Sequence, residues 1–165
     1  MAKDSKSAQL QIRVSPAQKA AIGRAARGAG MDMSAYVLDV VLPELAARFA
    51  ARVAACRDAG AARFALAELN TFLSNLTATE LRRAVATAPS AALTDFLANY
   101  VAAMVEYACA RVRISPPPWT RSIKPLAEPF FGSTLQSLRL YLLTHSPAPF
   151  RYRNLFIDSS VGARV

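Results

Sequence analysis

Gln9-Leu10-Gln11-Ile12-Arg13-Val14, then Ser15-Pro16, a run to Arg27, the glycines Gly28 and Gly30, and Ser34-Ala35-Tyr36-Val37: the reading of this stretch decides the fold. Its first six residues alternate polar and apolar, the period-two pattern of a strand with one buried face. Leu10, Ile12 and Val14 fall on one side, and Gln9, Gln11 and Arg13 on the other. Arg pairs well with guanine edges and Gln with adenine edges. A lone strand lacks both a ladder partner and a cover for its apolar face. Two such strands from two identical chains, paired antiparallel, supply both and form a ribbon that fits the major groove of DNA.

The signals that follow are helical. Ser15 suits an N-cap, with Pro16 at the first helical position and Gln18 at the capping-box position. This helix is expected to run to about Arg27, with Gly28 or Gly30 supplying a left-handed stop. Ser34 is expected to cap a second helix whose apolar face is Tyr36, Val37, Val40 and Val41.

Strand, Ser-Pro helix start, glycine-bearing turn and second helix start together resemble the ribbon-helix-helix family of DNA-binding proteins. This is the Arc, MetJ and CopG class of repressors and antitoxins, and the resemblance covers residues 8–42. It implies an obligate homodimer whose paired strands enter the major groove of double-stranded DNA. Gln9, Gln11 and Arg13 would then read bases, and the backbone N–H groups of Ser34 and Ala35 would hold a phosphate, a role that suits a helix N-terminus. Lys3 and Lys6, on a polar arm over residues 1–8, would add phosphate contacts. Asp32 departs from this pattern, because its negative charge lies beside the expected phosphate.

Charge agrees with a polyanionic partner. The net charge is +9 and the pI about 10.3, and its distribution is uneven. Residues 1–30 carry six Lys/Arg against one Asp, residues 31–110 six Arg against eight acids, and residues 111–165 eight Lys/Arg against two acids. No apolar run reaches membrane-spanning length. The polar start has no apolar signal core, so a cytoplasmic protein is expected. Cys56 and Cys109 stand far apart without metal-ligand spacing, and buried reduced thiols are expected. His145 is the single histidine. No catalytic constellation accompanies it, so neither an enzyme nor a metal or cofactor is expected.

The sequence predicts a mainly α protein. A basic arm (1–8) precedes a ribbon-helix-helix head (9–42) of one strand and two helices, an all-helical body (43–114) and an irregular Pro-rich segment (115–165). The body helices are expected over 44–59, 61–75, from Thr77-Ala78-Thr79-Glu80 to about Ala86, and over 91–113. Pro116-Pro117-Pro118-Trp119 reads as extended and polyproline-like. Ser133 or Thr134 should cap a helix of Leu135 to Leu143, and 150–157 should be a strand or extended tail. Aromatic and Arg residues dominate interface hot spots. A partner surface is therefore expected from Trp119, Arg121, Phe130, Phe131, Arg139, Phe150, Arg151, Tyr152, Arg153 and Phe156, with sealing of the body's own core as the competing role. The expected function is a DNA-binding autorepressor that is also the antitoxin of a toxin–antitoxin pair, its C-terminal region binding the cognate toxin. The alternatives are a repressor whose body senses a small effector and a plasmid-partition or DNA-organising protein.

Overall fold

The structure is a computed structural model and describes residues 11–41, 44–58 and 60–158. It is mainly helical. The chain divides into two compact units, a head (Met1–Leu42) and a body (Pro43–Val165).

In the head, α1 spans Pro16–Gly28. It begins with a complete capping box: the Ser15 hydroxyl accepts from the Gln18 N–H at 3.2 Å, and the Gln18 side chain accepts from the Ser15 N–H at 2.8 Å. It ends in a Schellman turn. The Gly30 N–H donates to the Arg27 carbonyl, and the Met31 N–H to the Ala26 carbonyl. Gly30 takes the left-handed conformation, with φ 68°, that this turn requires. Helix α2 spans Met33–Val41. Its cap is Asp32 rather than Ser34, because the Asp32 carboxylate accepts from the Ala35 N–H at 2.9 Å. The two helices pack where α1 is thinnest: a side chain built on Gly23 would meet the Met33 methyl at 3.4 Å.

The strand expected at 9–14 is not formed in its described part, since residues 11–15 carry no regular structure. A strand needs a ladder partner, and among the described residues this segment has none. Gln9 and Leu10 lie outside the described residues.

The body is built around one long helix. Helix α3 (Glu44–Ala55) packs on both α4 (Ala62–Ser74) and α5 (Ala78–Ala84), and α6 (Asp95–Arg111) packs on α4. Thr77 and Glu80 make a second full capping box at the start of α5. Helix α6 is shorter than the periodicity over 91–113 predicts, because the Thr94 hydroxyl accepts from the Leu97 N–H and starts it there. Asn99 to Val105, Ala108 and Cys109 are buried, so this helix is wrapped on nearly all sides. Phe49, Val53, Leu69, Leu81, Val101, Val105 and Leu155 join one core, where Cys56 and Cys109 are free thiols. Burial pushes both thiols up, and Glu106 adds to the effect at Cys109.

The C-terminal part departs from expectation in four places. Pro118 opens a short helix, α7 (Pro118–Ser122), where an extended run was expected; proline at a first helical turn loses no hydrogen bond. Phe130–Phe131 (β1), in a stretch expected to be irregular, pairs in parallel with Leu155–Phe156 (β2), which lies within the strand or tail expected over 150–157. A 3-10 turn at Gln136–Leu138 precedes α8 (Arg139–His145), which starts later than Ser133 or Thr134 would set it. Residues 148–151 form a one-turn helix, α9 (Ala148–Arg151), at the start of the stretch 150–157 expected to be a strand or extended tail, of which Leu155–Phe156 is a strand. The strand pair is kept close at Gly132, where a Cβ would approach the Ile157 side chain to 3.2 Å.

Candidate functional site

The head exposes several large apolar side chains. Ile12 and Val40 are each 59% exposed, and Val14, Met33, Leu38 and Val41 are exposed with them. Among the described head residues only Gly23 and Ala26 are buried. Gln11 and Arg13 are exposed on the segment before α1, while Lys3, Lys6 and Gln9 lie outside the described residues. Ser34 is exposed in the first turn of α2. The Ala35 N–H, a candidate phosphate donor, is occupied by the Asp32 carboxylate. A phosphate there would have to displace an anion that already caps the helix. Capping by Asp32 thus corrects the expectation that Ser34 caps α2.

The ten candidate partner residues of the body fall into three groups. Trp119, Phe150 and Arg153 turn inward and are corrected as surface residues. The Trp119 indole N–H donates to the Val85 carbonyl at 2.8 Å. Phe150 is buried edge-on between Tyr100 and Tyr107. Arg153 is buried with every guanidinium N–H used. Its Nε and Nη2 donate to the two Glu106 carboxylate oxygens at 3.2 and 2.6 Å, and Nη2 also donates to the Thr120 carbonyl at 2.7 Å. Its Nη1 donates to Asn99 Oδ1 at 3.2 Å and to the Ile123 carbonyl at 3.5 Å. This arginine ties α6, α7 and the turn before β2 into one unit. Burial of a charge demands such a partner set.

The second group lies over the strand pair. Phe131 stacks on Phe156 with centroids 5.1 Å apart, the Arg139 guanidinium lies 5.0 Å over Phe131, and Phe130 packs on Phe96 at 4.6 Å. The third group, Arg121, Arg151 and Tyr152, is exposed, Tyr152 to 80%. Tyr152 and Arg121 border an apolar groove of about 570 Å³ walled by Ile114, Pro116, Ile123 and Pro149.

Sequence reasoning missed a fourth set. Leu135, Leu138, Leu140 and Leu143 are exposed on α8 and the turn before it, with Tyr141 beside them. Their spacing marks a helix, but spacing alone does not tell an inward face from an outward one.

Among the described residues no cluster of His, Cys, Asp and Glu is arranged to hold a metal ion, and no helix is long and apolar enough to cross a membrane. Comparison with curated proteins and with solved structures gives no match. Comparison with protein families gives one: residues 9–54 match the family described as antitoxin TacA 1-like. That span takes in residues 9–42 of the head and all but the last residue of α3, and it is similar to an antitoxin segment.

Proposed function

We propose that the chain is a dimeric, sequence-specific DNA-binding autorepressor and the antitoxin of a toxin–antitoxin pair, with DNA contacts in the head and the toxin contact in the body. The observation that carries this reading is the match of residues 9–54 to TacA 1-like antitoxins. The head supports it physically. Six large apolar side chains are exposed within 31 described residues, far too many for so small a unit to leave in water by itself. Antiparallel pairing of residues 9–14 from two copies would bring the Ile12 and Val14 sides of the two chains together, away from water. It also turns Gln9, Gln11 and Arg13 outward together, where their side chains reach base edges.

The test has two arms. Binding to the promoter DNA of the chain's own operon is measured against random DNA at several salt concentrations, and the neighbouring gene is co-expressed to ask whether its toxicity is suppressed. Arg13→Ala should weaken operator binding by about 1–3 kcal/mol and relax preference at one base position. Asp32→Asn keeps a capping oxygen and removes the charge, so it should tighten binding to every sequence alike. Loss of toxicity suppression together with equal binding to operator and random DNA would sink the reading.

A further inference from the structure

Helix α8 is turned inside out. Of its seven residues only Leu142 is buried, while Leu140 is 76% exposed and Tyr141 and Leu143 are exposed on either side of it. At 100° per residue, Leu140 lies opposite Leu142, with Leu143 and Tyr141 flanking it. Leu135, 60% exposed, and Leu138 add further exposed apolar side chains in the preceding turn. Scattered apolar residues on a surface are ordinary, but five on nine consecutive residues mark an interaction surface.

The charge around this face selects its occupant. Residues 129–157 contain Arg139, Arg151 and Arg153 and no carboxylate. Arg153 is used up inside the body, which leaves Arg139 and Arg151 as outward charges. Arg139 is braced over Phe131, itself stacked on Phe156, so its guanidinium is held at the border of the apolar face rather than free to swing away. A second copy of the chain is a poor occupant. An isologous contact centred on α8 would set Arg139 near its own symmetry mate, and α8 itself carries no carboxylate to neutralise the pair.

We propose that the α8 face formed by Leu140, Tyr141 and Leu143 docks a different protein, whose contact face is apolar at its centre and carries carboxylates at its rim opposite Arg139. The proposal rests on the antitoxin reading, with the toxin as that protein, and adds where it binds and what chemistry its face has. Apolar burial at the centre supplies affinity, and the rim charge supplies approach rate and orientation.

The experiment titrates the full chain against the purified product of the neighbouring gene. It compares wild type, Leu140→Asp, the milder Leu140→Gln, and Arg139→Glu, each first checked by Trp119 fluorescence for an unchanged unfolding midpoint. Leu140→Asp should weaken binding by about 30-fold or more, and Leu140→Gln by less. Arg139→Glu should slow association and flatten its salt dependence. Wild-type affinity in all three variants overturns the proposal and leaves the antitoxin reading intact. Failure of the wild-type chain itself to bind overturns both. Sedimentation in which Leu140→Asp converts a larger species of the chain alone into a smaller one assigns the face to a second copy. Co-pelleting of wild type, and not of Leu140→Asp, with phosphatidylglycerol vesicles assigns it to a lipid surface. Either result also overturns the proposal.

Discussion

The head and the body spend their apolar residues in opposite ways. The head buries only Gly23 and Ala26 among its described residues and leaves Ile12, Val14, Met33, Leu38, Val40 and Val41 in contact with water. The body surrounds α6 with a continuous core and exposes apolar side chains mainly at its C-terminal part. The difference teaches which unit stands alone. Folding must offset roughly 1–2 kcal/mol of backbone entropy per residue, and apolar burial supplies most of that. The body has such burial within one chain. The head lacks it, and a second chain is the simplest source.

The sharpest way to break this comparison is to strike the body where its charge is buried. Arg153→Ala leaves the Glu106 carboxylate, Asn99 Oδ1 and the Thr120 and Ile123 carbonyls without their donor. Removing one partner of a buried ion pair costs about 3–5 kcal/mol. The chain's single tryptophan, Trp119, reports on the body because its indole is bonded to the Val85 carbonyl. Urea unfolding followed by Trp119 fluorescence should show a large drop in midpoint, while operator binding at low urea persists. A variant as stable as wild type would show that the network is not a clamp.

A second strike falls on the head. Val40→Asp changes a residue that is 59% exposed in one chain. Left exposed, such a change stays within about 0.5 kcal/mol. Buried in a two-chain core, it forfeits about 1.5–3 kcal/mol per chain of apolar burial and adds an unpaired charge. Sedimentation equilibrium should show dimers giving way to monomers, with the Trp119 unfolding curve unchanged. Dimers of undiminished strength would put the subunit contact elsewhere.

Local signals were legible in the sequence, and long-range ones were not. Ser15–Gln18 and Thr77–Glu80 are capping boxes on the page and in the fold, because each closes over three residues. The break before Pro118 was misread although proline at a first helical turn was an available signal. Arg153 looked like a surface arginine, because its partners Asn99 and Glu106 lie 54 and 47 residues away and no periodicity connects them. Residues 9–14 have the alternation of a strand, but a strand also needs a ladder partner, and alternation says nothing about where one would come from. The outward leucines of α8 and the inward leucines of α6 share the same helical spacing. What separates them is the packing of their neighbours.

The two capping boxes offer a smaller test, because the head's uses Gln18 and the body's uses Glu80. The backbone and hydroxyl of Thr77 donate to the Glu80 carboxylate at 2.9 and 2.7 Å and hold its pKa below the ordinary carboxylate value. A depressed folded pKa means that this stabilisation is fully present above the unfolded value of about 4.3. It is lost as pH falls through the lower folded value. Glu80→Gln should therefore remove a shallow part of the body's acid sensitivity, less than the roughly 1 kcal/mol of a whole cap. Gln18 does not titrate, so the head's box should be indifferent over the same range. Urea midpoints of wild type and Glu80→Gln between pH 3 and 6 check this, and parallel curves would refute it.

The smallest effect comes from a turn that both units share. Helix α6 ends as α1 does: the Arg113 N–H donates to the Ala110 carbonyl and the Ile114 N–H to the Cys109 carbonyl, as Gly30 and Met31 do in the head. The left-handed position is Gly30 in the head, with φ 68°, and Arg113 in the body, with φ 56°. A side chain in that conformation costs roughly 1–2 kcal/mol, whereas glycine adds about 0.4–1 kcal/mol of chain entropy to the unfolded state. The first term is the larger, so Arg113→Gly should stabilise the body by about 0.5 kcal/mol. The reciprocal change, Gly30→Ala, faces open space, since nothing lies within 4 Å of its built Cβ. It should still destabilise the head, because the strain is in the backbone and not in the packing. Opposite signs for the two substitutions, read by Trp119 fluorescence for the body and by the dimer dissociation midpoint for the head, identify the turn conformation as the common cause. Equal signs would mean that local packing, different in the two units, decides instead.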